Sequence, residues 1–220
     1  MIKLVVFDLD GTLLDTIEDL GDSVNEVLSA RGYPEHTYDK YRLFIGDGMK
    51  KLILRALPSK AKEDPVLVSD VLAEYQAAYE RNWRKKSCPY AGITNCLREL
   101  QTTGTRSAIL SNKPHRFTEM CVSHLLSEFN FDKVYGERDG VPRKPDPAGA
   151  LAICRELDIL PQETMFVGDT SVDVLTGVRA GMMSVGVLWG FRGEEELRDS
   201  GAEHIISHPN KLLGLMGFEE

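Results

Sequence analysis

The stretch VVFDLDGTLLDT at residues 5–16 decides the fold of this chain. An apolar run ends there on a cluster of acids, in which Asp8 and Asp10 are two positions apart and Asp15 follows. Residues i and i+2 of an extended segment point to the same side, so the two carboxylates should repel each other unless a positive charge lies between them. The stretch therefore predicts a strand that ends at a site for a hard divalent cation, with a simple Asp-Gly turn into a helix as the alternative.

The composition is that of an ordinary soluble globular protein. The chain has 220 residues, of which 42% are hydrophobic and 27% charged, and its formal net charge is −8. An acidic chain without a basic run is not expected to bind nucleic acid or an anionic membrane. Asp8 and Asp10 interrupt the apolar start, and the late uncharged run at 180–191 is too short to span a bilayer. We therefore expect a cytoplasmic protein.

The cysteines show no pattern typical of a metal or redox site. They are widely scattered and contain no C-x-x-C pair, so we expect them to be small buried hydrophobes in a reducing compartment. The positions are Cys88, Cys96, Cys121 and Cys154.

Short apolar runs recur along the chain with helical stretches between them. The first lies at residues 3–8, and amphipathic helices are predicted at 93–101 and 148–157. The later strand-like runs are 107–110, 133–135, 164–167, 183–188 and 204–206. Strands that alternate with helices predict an α/β fold with a parallel sheet covered on both faces. Ligands bind such sheets beyond the carboxyl ends of the strands, so the polar residues there are the candidate site.

Residues 16–86 break this alternation. Apolar residues keep helical spacing from Ile17 to Leu28, from Met49 to Leu57 and from Leu67 to Tyr79, and no convincing strand separates them. The segment is also close to charge-balanced, which does not suit a nucleic-acid-binding arm. We predict an α/β core formed by residues 1–15 and 87–220, with a small helical domain at 16–86 inserted after the first strand.

Two further polar clusters lie near the ends of predicted strands, one at 111–113 and one around Lys144. The hydroxyl of Ser111 and the backbone N–H groups up to Lys113 are suited to a phosphate oxygen, or else they form a turn and helix cap. Two prolines stiffen the loop around Lys144, which suits a fixed ammonium facing anions. The alternative for that loop is a helix entrance, with Asp146 as the cap and Pro147 as the first helical residue.

The last cluster is GDTSVD at residues 168–173. Asp169 follows a predicted strand, and Asp173 lies four residues later, on the same face if a helix begins near Ser171. Carboxylates that meet at one crevice between strand ends require a metal. A solvated loop is the alternative for Asp173.

Taken together, these clusters resemble the four motifs of the haloacid dehalogenase superfamily over nearly the whole chain. The resemblance rests on D-x-D-G-T-x-x-D at 8–15, Ser111, Lys144 and GD-x-x-x-D at 168–173. It implies a Rossmann-like α/β core with a helical cap inserted after the first motif. It also implies that Asp8 is the nucleophile, which forms an aspartyl-phosphate, and that Asp10 is the general acid and base.

The same resemblance implies a Mg²⁺ cofactor and a set of phosphate-binding residues. The cation would be held by the carboxylates of Asp8 and Asp169 and by the backbone carbonyl of Asp10, with Asp173 assisting from outside. The implied phosphate-binding residues are Gly11, Thr12, Ser111, Asn112 and Lys144.

Within the superfamily the chain resembles phosphoglycolate phosphatases, through the segment Phe44–Met49, SNKP at 111–114 and RKPDP at 143–147. Pyrophosphatases and sugar-phosphate or nucleotide phosphatases share much of this pattern. Mutases of the β-phosphoglucomutase type place a histidine where this chain has Leu20, which favours hydrolysis. We therefore predict a phosphatase of a small phosphorylated metabolite, active as a monomer or homodimer. A phospho-acceptor signalling domain and a binding module without activity are the alternatives from other classes.

Overall fold

The structure is a computed structural model that describes residues 1–217. It divides into two compact units. The core unit comprises Met1–Asp15 and the chain from Pro89 onward, and the helical unit comprises Thr16–Cys88.

The strands are short, and most of them belong to the core unit. They are β1 (Leu4–Phe7), β2 (Leu14–Asp15), β3 (Cys88–Pro89), β4 (Arg106–Pro114), β5 (Lys133–Glu137), β6 (Thr164–Gly168), β7 (Met183–Val187) and β8 (His204–Ile206).

The helices occupy most of the chain between the strands. They are α1 (Ile17–Ala30), α2 (Tyr38–Phe44), α3 (Met49–Ala56), α4 (Pro65–Asn82), α5 (Ile93–Thr102), α6 (His115–Leu125), α7 (Ala148–Leu157), α8 (Ser171–Ala180), α9 (Glu194–Asp199) and α10 (Lys211–Leu215). Single 3₁₀ turns lie at Ala61–Glu63 and Pro161–Glu163.

The core unit is built on a six-stranded sheet in the order β5-β4-β1-β6-β7-β8. Every neighbouring pair in it is parallel. The strand β1 lies inside the sheet, with Leu4–Phe7 paired to residues 106–109 of β4 and to residues 164–167 of β6. The predicted α/β fold with a parallel sheet is therefore confirmed, and Asp8 and Asp169 leave neighbouring strands at the same edge.

Both faces of the central strands are buried, which explains why β1 is a continuous apolar run and does not alternate. On one face Leu4 and Val6 pack in a core cluster with Phe166 of β6. The α7 helix covers that face through Ala150 and Ile153, which belong to the same cluster. Val5 and Phe7 point the opposite way and are also buried.

The helical unit contains the three predicted helices and a fourth, α2, that the sequence does not predict. The α1 helix packs against α4, and α2 packs against α1. The unpredicted helix α2 has only seven residues and one buried side chain, Tyr41. Two turns are too short for a helical period to emerge, and the position of α2 depends on tertiary contacts. The hydroxyl of Tyr41, for example, donates to Asn25 Oδ1 in α1 at 2.5 Å.

The structure also bears on membrane-spanning helices and on the cysteines. No helix in residues 1–217 is long and apolar enough to cross a membrane. Cys96, Cys121 and Cys154 are buried and free, as expected. Cys88, in β3, is exposed, so the expectation of burial is wrong for this residue.

Candidate active site

The nucleophile predicted by the motif lies directly beyond β1. The backbone N–H of Asp8 donates to Val167 O at 2.9 Å, so the pairing with β6 continues one residue past the strand. The chain then turns at Gly11, whose φ is +91°. A Cβ added at Gly11 would lie 2.3 Å from Asp169 Oδ2, so both backbone conformation and space require glycine here.

Three buried carboxylates converge at this edge of the sheet. Asp8 comes from the end of β1, Asp169 from the end of β6, and Asp173 from the first turn of α8. Each offers an oxygen, and these atoms lie within 4.8 Å of one another. Oxygen ligands in such a cluster are the donor set that a hard divalent cation prefers.

Lys144 partly compensates the repulsion that the sequence predicts. Its ammonium lies 2.7 Å from Asp8 Oδ1 and 2.6 Å from Asp173 Oδ1, and its side chain is buried. Burial alone would lower the pKa of Lys144, but Asp173 and Asp8 outweigh it and raise that pKa above its ordinary value. The lysine therefore stays charged inside the site.

A single ammonium does not balance the three acids. Burial raises the pKa of Asp8 to about 7, although Lys144 opposes the rise. Burial, together with the charges of Asp173 and Asp8, raises the pKa of Asp169 well above its ordinary value. This uncompensated negative charge, in an oxygen-rich cluster, is the feature that fits a bound divalent cation.

Asp169 is held at both oxygens. Thr12 Oγ1 donates to Oδ1 at 3.0 Å, and the backbone N–H of Phe191 donates to Oδ2 at 2.8 Å. The neighbouring Gly190 leaves room for this contact, because a Cβ there would lie 2.3 Å from Asp169 Cβ. Such hydrogen bonds fix the direction of a carboxylate that ligates a metal.

Asp173 is part of the same buried cluster, so its alternative interpretation as a residue of a solvated loop is wrong. It is buried in the first turn of α8, where it forms a capping box with Thr170. The N–H and the hydroxyl of Thr170 donate to Asp173 Oδ2 at 3.0 and 2.7 Å. The remaining oxygen, Oδ1, points to Lys144.

The carboxylate of Asp10 has a different partner. Lys113 Nζ donates to Oδ1 and to Oδ2 of Asp10, both at 2.9 Å. The carboxylate is not a member of the cluster formed by Asp8, Asp169 and Asp173. The metal contact predicted for Asp10, which involves its backbone carbonyl, stays a prediction.

Ser111 and Asn112 lie within β4, so the alternative of a helix cap at this position is wrong. The following helix begins at His115 after Pro114. The side chain of Asn112 binds the backbone of Lys144, donating to its O at 3.0 Å and accepting from its N at 2.9 Å. This contact fixes the lysine loop, and the phosphate contacts predicted for Ser111 and Asn112 stay predictions.

The Lys144 loop combines both of its predicted roles. Asp146 Oδ1 accepts a hydrogen bond from Ala148 N at 2.9 Å, as the helix-entrance interpretation predicts. The helix α7 nevertheless begins at Ala148 and not at Pro147. The proline-flanked loop therefore starts a helix and delivers a buried ammonium to Asp8 at the same time.

Three groups that contact the predicted acids have no role predicted from the sequence. Lys113 belongs to the Ser-Asn-Lys run, but its position in the sequence does not indicate that Asp10 is its partner. Thr170 carries a usable signal, since T-x-x-D is a capping-box pattern. The contact made by Phe191 N to Asp169 has no signal in the sequence, because a backbone donor depends only on how the loop folds.

The chain is similar to known proteins over most of its length. The family model for haloacid dehalogenase-like hydrolases matches residues 5–187. A phosphoglycolate phosphatase from Psychrobacter arcticus is 31% identical over 205 residues, which cover 89% of this chain and 87% of that protein. A phosphoglycolate phosphatase from Pseudomonas putida is 33% identical over 214 residues, which cover 96% of this chain and 78% of that protein.

Solved structures share the fold over almost the entire chain. A protein from Lactobacillus delbrueckii subsp. bulgaricus has a TM-score of 0.90 at 26% identity, with 97% of this chain and 98% of that chain covered. A protein from Haemophilus somnus, described as a predicted phosphoglycolate phosphatase, has a TM-score of 0.89 at 25% identity and 98% of both chains covered. The chain belongs to the haloacid dehalogenase-like hydrolases, and it is a phosphatase.

Proposed function

We propose that this phosphatase hydrolyses small phosphate monoesters with Mg²⁺ as cofactor, and that 2-phosphoglycolate is its preferred substrate. One observation supports the chemistry above all others. The buried Asp8 carboxylate lies beyond β1, is bound to Lys144, and has an oxygen within 4.8 Å of an oxygen of Asp169, so that one cation could bind both. The substrate is inferred from the relatives, several of which are named phosphoglycolate phosphatase.

In the first half of the reaction, a carboxylate oxygen of Asp8 attacks phosphorus and the bond from phosphorus to the ester oxygen breaks. A proton from Asp10 goes to the departing oxygen, which leaves as an alcohol. In the second half, Asp10 takes a proton from water, and the resulting hydroxide attacks phosphorus. The aspartyl-phosphate bond breaks, which releases inorganic phosphate and restores Asp8.

The metal would be held by Asp8, Asp169 and the backbone carbonyl of Asp10, with Asp173 assisting. When bound, Mg²⁺ supplies positive charge that lets an anionic nucleophile approach an anionic phosphoryl group. Thr12 and the N–H of Phe191 keep the Asp169 carboxylate directed toward this position. Thr170 does the same for Asp173.

Phosphate binding falls to the groups that surround Asp8 in the core unit. The Lys144 ammonium neutralises charge on the phosphoryl oxygens, and the Ser111 hydroxyl donates a hydrogen bond to them. The N–H groups of Gly11 and Thr12 donate to Leu14 O and Leu9 O, so they shape the turn and do not donate to the phosphoryl group. Phosphoryl transfer requires mainly positioning and electrostatic stabilisation, which such fixed donors supply. Asn112 contributes indirectly, since it holds the backbone of Lys144 at both its N–H and its carbonyl.

The helical unit is proposed to act as the cap that selects substrates. Its segment Phe44–Met49 is ordered by Arg55, which donates to Phe44 O at 2.7 Å and also binds Asp47. Leu20, at the position where related mutases place a histidine, is buried in α1 and serves in packing. Hydrolysis is therefore favoured over phosphoryl transfer between sugar positions.

A substrate panel tests this function. The enzyme is assayed with Mg²⁺ on 2-phosphoglycolate, pyrophosphate, sugar phosphates and nucleotides, and the kcat/KM values are compared. We expect 2-phosphoglycolate to lead the panel by at least about tenfold, the discrimination that a few pocket contacts provide. A higher kcat/KM for any other member would refute the substrate, and no phosphate release from any member would refute the function.

A further inference from the structure

One buried cation of the core unit has no role in the function proposed above. Lys113 is the last residue of the Ser-Asn-Lys run, and its side chain is 2% exposed. Its ammonium lies 2.9 Å from each carboxylate oxygen of Asp10. Lysine is rarely buried to this degree, so a contact of this kind requires an explanation.

The backbone of Lys113 is fixed at several points. The pairing of β4 with β5 shifts between Leu110 and Pro114, so residues 111–113 form an irregularity at the end of the strand. Within it Lys113 N donates to Ser111 Oγ at 3.3 Å, and Lys113 O accepts from Thr118 Oγ1 at 3.1 Å. A Cβ added at Gly136 would lie 2.6 Å from Lys113 O, so β5 supports the same carbonyl. The ammonium therefore projects from a rigid base.

The two buried lysines of the site divide their partners. Lys144 contacts Asp8 and Asp173, whereas Lys113 contacts Asp10. Asp10 lies in the turn after β1, where its carboxylate has two side-chain torsions to fix. A cation that binds both oxygens fixes these torsions, and a general acid must lie within hydrogen-bond reach of the atom that it protonates.

We propose that Lys113 is the positioning residue of the acid and base Asp10, and that it directs this carboxyl toward the departing oxygen of the ester. The proposal rests on the proposed function, because it takes Asp10 as the group that protonates that oxygen. Lys144 binds the nucleophile Asp8, whereas Lys113 binds the carboxylate of Asp10. Loss of Lys113 should therefore impair only the step that needs the proton.

The experiment compares two leaving groups in the Lys113→Met variant, which keeps the length of the side chain and removes its charge. An alkyl phosphate needs a proton on its leaving oxygen, whereas 4-nitrophenyl phosphate releases a stable anion without one. The quantity measured is kcat/KM, which covers the steps up to departure of the leaving group. We expect it to fall about 100-fold for the alkyl ester and less than about fivefold for the aryl ester, since general acid catalysis contributes about 10²–10⁴-fold.

Two controls separate positioning from general damage. Lys133→Met removes another lysine that pairs with a carboxylate, that of Glu156. This lysine is 30% exposed and lies in the edge strand β5, so the change should alter kcat/KM for neither ester. In an Asp10→Asn background, Lys113→Met should have almost no further effect on the alkyl ester, because both changes remove the same function.

Equal losses for both esters in Lys113→Met would overturn the proposal and assign Lys113 to general phosphate attraction. An additive loss in the Asp10→Asn background would overturn it as well. If Lys113→Met fails to fold by circular dichroism, Lys113→Gln and Lys113→Arg are compared. Arg should retain most of the alkyl-ester activity, and Gln should lose it. The alkyl ester used is the one that the wild-type enzyme hydrolyses fastest. If 2-phosphoglycolate is not the preferred substrate, the wild-type assays will show it, and the ratio between the losses for the alkyl and aryl esters will not be affected.

Discussion

Two regions of the molecule bury aspartates, and they do so in opposite ways. In the helical unit, Asp19 of α1 accepts hydrogen bonds from the N–H of Lys86 and from the N–H and hydroxyl of Ser87, the latter two at 2.8 and 2.7 Å. In the core unit, Asp8 faces two other carboxylates and shares one ammonium with Asp173.

The difference separates an acid that stabilises the fold from one that is proposed to react. The charge of Asp19 is compensated by nearby hydrogen-bond donors, most of them backbone groups. Asp19 therefore links α1 to the segment at 86–87, and its carboxylate is fully engaged in these hydrogen bonds. The Asp8 cluster carries excess negative charge at a strand end, which stability alone would not select. Substitutions at the two sites should therefore affect different properties.

The largest effect is expected for Asp8→Asn. Loss of the proposed nucleophile should lower kcat by about 10⁴-fold or more. The free energy of unfolding, by contrast, should not fall in this variant. The pKa of Asp8 is raised in the folded, metal-free protein to about 7, so its ionisation disfavours folding increasingly as the pH rises from about 4 to 7. Metal-free Asp8→Asn should be at least as stable as the wild type at pH 8, with the difference lost near pH 4, as urea unfolding would reveal. An Asp8→Asn variant that is much less stable than the wild type at pH 8 would contradict the view that the Asp8 carboxylate opposes folding.

The opposite profile is expected for Asp19→Ala. This change leaves the N–H groups of Lys86 and Ser87 without their acceptor, so the free energy of unfolding should fall by about 3 kcal/mol, since each unsatisfied buried donor costs about 1–3 kcal/mol. Calorimetry or urea unfolding measures the loss. The substitution touches no predicted catalytic group, so kcat of the folded fraction should stay within a few fold of wild type. A large loss of kcat without loss of stability would show that Asp19 is not purely structural.

Adding Mg²⁺ should distinguish the two regions without removing the nucleophile. A ligand that binds only the folded state at about 100 times its Kd stabilises by about 2.7 kcal/mol, so Tm of the wild type should rise by several degrees. Asp169→Asn should abolish the rise, whereas Asp19→Ala should show the full rise from a lower starting Tm. An equal rise in all three proteins would mean that the cation binds elsewhere.

The smallest effect is expected for Thr12→Val, which keeps the shape of the side chain and removes the hydrogen bond to Asp169 Oδ1. Loss of a group that orients a metal ligand weakens metal affinity by about 10–100-fold. Titration of the metal-free protein with Mg²⁺ by calorimetry should detect this change, and kcat at saturating Mg²⁺ should recover most of its wild-type value. Unchanged affinity would show that the hydroxyl serves the phosphate and not the metal.

Much of this architecture was predictable because it depends on short-range patterns. The apolar runs at 107–110 and 164–167 became β4 and β6, since buried parallel strands need apolar residues on both faces. The proximity of Asp8 and Asp169 followed from topology, because carboxyl ends of neighbouring parallel strands share one edge. The helix α2 was not predictable, since it is short and depends on contacts such as that of Tyr41 with Asn25.

By itself, the sequence determined which acids end the strands and which family the chain resembles. These properties depend on residue type and spacing. Only the tertiary structure decided how each acid is held: Lys144 between Asp8 and Asp173, Lys113 on Asp10, and the N–H of Phe191 on Asp169. The physical reason is that the partner of a buried charge is set by three-dimensional distance, and the residues of each pair lie between 22 and 136 positions apart in the chain.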